Sequence, residues 1–208
     1  KSTLLNKLIG KKITITSPIA QTTRNKLKGI LTTKNGQIIF VDTPGVHKPH
    51  HLFGERLVKN AKAAIRGVDM VIFVLDSNEE PGRGDEYIMN FLAKNQTEFI
   101  VVLNKWDLVN KEIRNLRLNQ YKRFFGKDRN FKVVSAYEGQ GCSELVDMLL
   151  DFLPEGPKLY CEDTISDQPL DNLLSDLVRE QVLLNTREEV PHSVAVKIEK
   201  IEEMKRKN

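Results

Sequence analysis

The chain has 208 residues, 40% hydrophobic and 29% charged, an ordinary balance for water-soluble protein of one or two domains. No apolar run approaches the roughly 20 residues a membrane-spanning helix needs, and Cys142 and Cys161 lie in no metal-ligand spacing, which points to free thiols in a reducing cytosol. The formal charge of +4 is uneven: residues 1–153 carry 24 Lys and Arg against 16 Asp and Glu, and residues 154–208 carry 8 against 12. The basic first segment permits nucleic-acid contact without demonstrating it, since a solvated face explains the excess equally well.

In chain order, Ser2–Gly10 has helical spacing, with Leu4, Leu5, Leu8 and Ile9 as its apolar stripe and a Gly at its end. Lys1-Ser2-Thr3 before it reads as the back half of a phosphate-binding loop, G-x-x-x-x-G-K-[ST]. Lys1 would reach the β- and γ-phosphates, the Ser2 hydroxyl would ligate Mg²⁺, and Thr3 with the helix N-terminus would add backbone donors for anions. Alone, the triplet is equally a routine helix cap. Leu27–Thr33 and Gln37–Val41 are predicted strands flanking Lys34-Asn35-Gly36, whose Asn-Gly is a hairpin signal. Asp42-Thr43-Pro44-Gly45 follows. An Asp leaving a strand can hold Mg²⁺ through water, and Gly45 can bring its N–H to a γ-phosphate with no Cβ in the way. By itself this is also an ordinary strand followed by a turn. His47, His50 and His51 come next without a Cys or carboxylate at ligand spacing, as in a solvated loop.

Leu57–Arg66 is Ala- and Lys-rich and predicted helical, and Asp69–Leu75 is an apolar strand of the kind buried on both faces. After a predicted helix over Asp85–Lys94, the strand Phe99–Leu103 runs into Asn104-Lys105-Trp106-Asp107. A carboxylate there can accept both N1–H and N2–H of guanine, a donor pair adenine lacks, and such sites reject the wrong analogue by roughly 10⁴ or more. Trp106 fills the variable position and is expected to face away from the base and pack. Beyond a helix over Lys111–Phe125, the strand Phe131–Val134 ends at Ser135-Ala136, where a small residue and exposed N–H groups can meet the guanine carbonyl. A helix over Ser143–Phe152 closes the segment. Strand and helix alternate, so an α/β fold with a mostly parallel sheet covered on both faces is expected. Four motifs in order at strand ends indicate a GTP-binding domain of the P-loop kind.

Leu153-Pro154-Glu155-Gly156-Pro157 marks a boundary. Residues 154–169 read as a linker between a domain over 1–153 and a second unit over 170–208. In that unit Leu170–Arg187 has a helical stripe of Leu170, Leu173, Leu174, Leu177, Val178 and Val182, and Ser193–Ile198 alternates as a half-buried strand. A helix and one strand cannot bury a core alone, so the chain is expected to stop inside that second domain at the ragged Lys205-Arg206-Lys207.

Several stretches resemble the bacterial Era family: Lys1-Ser-Thr-Leu-Leu-Asn6, Gln21-Thr-Thr-Arg24, Phe40–Gly45 followed by His47, and Asn104–Asp107. Leu153–Pro157, Val178-Arg-Glu180 and Pro191-His-Ser-Val-Ala-Val196 resemble it too, and this last stretch separates the family from other GTPases. The resemblance covers essentially the whole chain. It implies a Ras-like GTP-binding domain over 1–153, lacking its first strand and loop glycines, followed by the start of an α+β KH-type RNA-binding domain over 170–208. Those missing residues are expected in the intact molecule.

The resemblance further implies a cytoplasmic GTPase, expected to be monomeric, that binds small-subunit ribosomal RNA and assists assembly of the small ribosomal subunit. Peripheral association with the inner face of the cell membrane is a further implied partnership. By residue, Lys1, Ser2 and Thr3 would hold phosphates and Mg²⁺. Thr23, with Thr22 as the nearby alternative, would offer its hydroxyl to Mg²⁺ and the γ-phosphate. Asp42, Thr43, Pro44, Gly45 and Val46 would form the second switch, and Asn104, Lys105, Asp107, Ser135 and Ala136 the base pocket. Lys1 and Thr23 would be the catalytic groups, and Ser2, Thr23 and Asp42 the metal ligands. Ras and Gα place a water-orienting Gln soon after that Gly, and this chain has Val46. Slow hydrolysis is therefore expected, helped by K⁺ or a partner. No Gly-x-x-Gly loop follows Val194–Ile198, so RNA binding rests on the family alone. A tRNA-modification-type GTPase and an RNA-binding module with a degenerate nucleotide site are the competing readings.

Overall fold

The computed structural model describes residues 1–16, 27–42, 65, 67–126, 129–186 and 194–202. Helix α1 spans Ser2–Ile9 and buries Leu4, Leu5, Leu8 and Ile9, ending at Gly10 in the left-handed region at φ 75°. Strands β1 (Leu27–Thr32) and β2 (Gln37–Asp42) form an antiparallel hairpin, Leu27 opposite Asp42 and Thr32 opposite Gln37. Its turn is closed by the Thr33 N–H donating to the Gly36 carbonyl at 2.9 Å. Strands β3 (Val71–Asp76), β4 (Phe99–Asn104) and β5 (Phe131–Val133) form a parallel sheet in that order. Among the described residues the hairpin and this sheet are separate ladders, with a cleft of about 1170 Å³ between β2 and β3.

Helix α2 (Arg83–Lys94) crosses from β3 to β4 and helix α3 (Arg114–Phe125) from β4 to β5, and helix α4 (Cys142–Phe152) follows β5. All six residues of β4 are buried, and alternation divides them between two cores. Ile100 and Val102 join α1, the hairpin and α4, while Phe99, Val101 and Leu103 join α2 and α3. The expected cover on both faces is therefore present at β4. On the second side Phe125 sits among Phe73, Phe124 and Phe131 with ring centroids 5.0–6.1 Å apart, all edge-on.

Predicted boundaries shift by one to three residues. Lys111–Ile113 is a 3-10 turn before α3 rather than its first turn, because the Asn110 side chain accepts the Glu112 N–H. Gly141 caps α4 at φ 75°, and a Cβ there would stand 2.4 Å from the Val133 carbonyl oxygen. Backbone cannot yield as a side-chain tip would. Gly141→Ala should lower stability by about 2–4 kcal/mol through strain and clash, read as a fall of roughly 5–15 °C in Tm. A shift under one degree would show that the backbone relaxes freely.

Residues 154–169 are not a free linker. Gln37 Oε1 accepts the Leu159 and Tyr160 N–H groups at 3.0 and 2.9 Å, and its Nε2 donates to the Tyr160 carbonyl at 2.9 Å. Farther on, Ile30 N–H donates to the Ile165 carbonyl at 2.9 Å, Gly29 bridges to Ser166, and Lys28 N–H donates to Asp167 Oδ1. The segment thus caps the open edge of β1 as a short extra strand would.

Helix α5 spans Leu170–Asn185, and its buried residues are Arg179, Glu180 and Leu183, while Leu170 and Val178 of the predicted stripe are exposed. Local spacing misled because Glu180 has distant partners, set out below. The predicted strand over Ser193–Ile198 is overturned for its described residues, which carry no ladder; among the described residues no strand lies beside Val194–Ile198, and an alternating segment needs one to pair with. Its one described tie is the Ser175 hydroxyl donating to the Val196 carbonyl at 2.5 Å. The predicted helix Leu57–Arg66, His47, His50, His51, Lys205–Lys207, and Pro191 to Ser193 of the Pro191–Val196 stretch lie outside the described residues, apart from Ile65.

Candidate nucleotide-binding site

Two groups of polar side chains gather where the strands end. The first is at α1. Lys1 is its N-cap residue, and its carbonyl accepts the Leu5 N–H at 3.0 Å. Lys1 Nζ lies 3.8 Å from Oδ1 of Asp42, the last residue of β2, whose side chain is buried. Burial holds the Lys1 ammonium below the ordinary lysine pKa, and the Asp42 carboxylate acts in the opposite sense. Ser2 is half-buried and Thr3 exposed in the first turn, where free N–H groups and the helix dipole favour anions. On the same helix Asn6 holds the following loop: Oδ1 accepts the Ile13 and Thr14 N–H groups at 2.9 and 3.0 Å, and Nδ2 donates to the Thr14 carbonyl at 2.8 Å.

The second group lies beyond β4 and β5. The fully buried Ser135 donates its hydroxyl to Asp107 Oδ1 at 2.6 Å. The Ala136 N–H donates to the buried Asn104 Oδ1 at 3.0 Å. Asn104 is thereby fastened to the β5 loop by its side chain and to the β3 end by its carbonyl, which accepts the Ser77 N–H at 2.8 Å. Among the described residues Asp107 Oδ2 takes no hydrogen bond, so Ser135 orients the carboxylate while leaving an oxygen to accept from a ligand edge. Strand register does not continue past Asn104. Lys105 adopts φ 64°, and Trp106–Leu108 is a 3-10 turn. Trp106 is buried as expected, through this turn rather than by strand alternation, with the Arg114 guanidinium 5.8 Å from its ring centroid.

The structure thus brings Asn104, Asp107, Ser135 and Ala136 into one network and sets Lys1, Ser2 and Thr3 beside Asp42. Thr22 and Thr23, with the rest of Gln21–Arg24, and Thr43, Pro44, Gly45 and Val46 lie outside the described residues. Asp76 was missed from sequence. It ends β3 much as Asp42 ends β2, and its Oδ2 lies 2.5 Å from Lys105 Nζ. An acid at the carboxyl end of a predicted strand was the available signal.

A family model described as 50S ribosome-binding GTPase matches residues 1–105. The chain is 48% identical over 206 residues to GTPase Era of Rippkaea orientalis, covering 98% of this chain and 65% of that protein. GTPase Era of Staphylococcus haemolyticus is 44% identical over 204 residues, covering 97% of this chain and 67% of that protein. The chain therefore spans about two thirds of the length of such relatives, and slightly less for the cyanobacterial ones. Among solved structures, Era in complex with MgGDPNP and nucleotides 1506–1542 of 16S ribosomal RNA superposes with a TM-score of 0.83 at 38% identity, over 96% of this chain and 68% of that one. An Aquifex aeolicus Era variant bound to GDP·AlF₄⁻ matches with the same TM-score, identity and coverage.

Proposed function

The chain belongs to the Era family of GTPases and has the P-loop GTPase fold, and from that premise we propose that it is a slowly hydrolysing GTP switch that binds small-subunit ribosomal RNA and assists assembly of the small ribosomal subunit. The observation that carries the nucleotide half is the Ser135–Asp107 bond at 2.6 Å, which aims a carboxylate at the place where a guanine edge would present two donors. Adenine would leave that carboxylate unpaired, at a cost of about 1–3 kcal/mol or more. In this reading Asn104, Lys105, Asp107, Ser135 and Ala136 hold the base. Lys1, Ser2 and Thr3 hold the phosphates, and Thr23 and Asp42–Val46 respond to the γ-phosphate.

The Ser2 hydroxyl and the Asp42 carboxylate suit a hard divalent cation such as Mg²⁺, with Thr23 as the third ligand from the chain. When bound, the cation offsets charge on the β- and γ-phosphates. Lys1 places its ammonium against the same oxygens, and the α1 N–H groups steady them. Val46 offers no polar group to orient water, which supports slow hydrolysis stimulated by K⁺ or by a partner.

For the RNA half, the support is the Era relative seen with 16S ribosomal RNA; in this reading residues 1–153 are the nucleotide domain, 154–169 a connecting segment, and 170–208 would begin a KH-type domain. The protein would act as a cytoplasmic monomer, with peripheral contact at the inner membrane face. No helix among the described residues is long and apolar enough to cross a membrane.

Titration of the full-length protein with GDP and ADP tests the base assignment. GDP should bind at least about 10³-fold tighter, and equal affinities would end it. An RNA corresponding to nucleotides 1506–1542 of 16S ribosomal RNA should bind more tightly with a non-hydrolysable GTP analogue than with GDP; the same affinity in both states would remove the switch.

A further inference from the structure

Lys105 is one of two non-glycine residues among those described with a positive φ, at 64°. Such backbone is strained for a residue that carries a Cβ and persists only where the surroundings hold it. The surroundings here are built around Asp76. Asp76 pairs with Asn104 in the β3–β4 register, which sets it beside the turn that carries Lys105. Its two carboxylate oxygens have separate tasks: Oδ1 accepts the Asn78 N–H at 3.1 Å, and Oδ2 takes the Lys105 ammonium at 2.5 Å. The loop behind it is fastened from α3. The buried Tyr121 hydroxyl meets the carbonyls of Asp76 at 3.0 Å and Glu79 at 2.9 Å, and Arg117 donates to the Asn78 carbonyl at 3.4 Å. Ser77 N–H donates to the Asn104 carbonyl, closing the bracket onto the base-side strand.

We propose that Asp76 is a positioning residue for guanine nucleotide binding, fixing the Lys105 ammonium beside the base site before the ligand arrives. The proposal rests on the reading of Asn104–Asp107 as the base site. Lysine has four rotatable side-chain bonds whose freedom is lost on ordering, so a carboxylate that fixes it before the ligand arrives removes that cost from binding. The order of events is then base entry against a preset lysine, and the loss of Asp76 should appear mainly as faster nucleotide release. Tyr121 and Arg117 act behind Asp76 by holding its loop.

The experiment is a double-mutant cycle in the full-length protein, read by titration and stopped-flow release of a fluorescent GDP. Asp76→Asn keeps an oxygen for the Asn78 N–H but loses the charge facing Lys105. It should weaken GDP by about tenfold, in line with loss of one charge-assisted hydrogen bond. In a Lys105→Met background the same change should cost less than about twofold, because the group Asp76 positions is gone. Asp76→Glu, which keeps the charge one methylene farther out, should recover most of the affinity. Equal losses in the two backgrounds would show that Asp76 supports its own loop and would overturn the proposal, as would an undiminished affinity in Asp76→Asn. Urea unfolding of each variant reads folding separately, and if Asp76→Asn fails to fold, Asp76→Ser, whose hydroxyl oxygen can still accept the Asn78 N–H while the charge is lost, takes its place in the same cycle. A wild-type protein that binds no GDP would defeat the base-site reading itself, an outcome distinct from either.

Discussion

An Asp107→Asn variant is expected to lose GDP affinity by about a thousandfold and to gain affinity for xanthosine diphosphate. Guanine presents N1–H and N2–H together, and a carboxylate accepts both. An amide sets one donor against another, and buried donors left unpaired cost about 1–3 kcal/mol each. Xanthine replaces the amino group with a carbonyl, which the new amide N–H can serve. The fold should survive, because Asn keeps the Oδ1 that accepts the Ser135 hydroxyl at 2.6 Å. Calorimetric titration with the two diphosphates reads both halves. GDP affinity within threefold of wild type would place the base elsewhere.

Glu180→Ala should cost about 2–4 kcal/mol at neutral pH. Glu180 lies on α5, 1% exposed, and its Oε1 accepts the Thr16 N–H at 2.8 Å and the Thr16 hydroxyl at 2.9 Å. Lys12 pairs with its other oxygen. Truncation would strand the Thr16 donors, while the 45% exposed Lys12 would turn to water, which keeps the figure below that of a fully buried pair.

The pH dependence has a definite sign. Burial alone would raise the Glu180 pKa, but the hydrogen bonds from Lys12 and Thr16 outweigh it and hold the carboxyl below the ordinary value. A depressed folded pKa stabilises above the unfolded value of about 4.3 and fades as pH falls through the folded one. Urea unfolding at pH 7 and near pH 3 should therefore show the wild-type advantage over Glu180→Ala shrinking in acid. An advantage constant across that window would mean the carboxylate contributes through shape rather than charge.

What sequence could and could not reveal follows from the range of the interactions. Continuous apolar runs such as Phe99–Leu103 announced their strands because burial on both faces leaves no polar position to interrupt them, and Asn104, Asp107, Ser135 and Ala136 were legible because their chemistry sits at fixed offsets from strand ends. Glu180 was not, since its partner Thr16 is 164 residues away and a helical stripe counts only near neighbours. Leu170 and Val178 fitted the stripe and are exposed. Residues 154–169 have no period because their order comes from Gln37, Lys28 and the β1 edge rather than from their own side chains. Lys105 could not be foreseen in the left-handed region, since nothing in Asn-Lys-Trp-Asp demands it. The alternation in Val194–Ile198 was present, but a strand is made by its neighbour.

The fastening of residues 154–169 bears on how α5 is carried. A flexible tether of about sixteen residues would have an r.m.s. reach of roughly 20–24 Å, and what hangs from it would meet the rest of the chain only at a millimolar effective concentration. Here the slack is taken up on Gln37 and along β1. The Thr16–Glu180 contact then forms between parts already held close, and little association entropy remains to be lost when it closes. Release of that contact alone would leave α5 nearby, ready to return. Only peeling the segment from the β1 edge would let it travel.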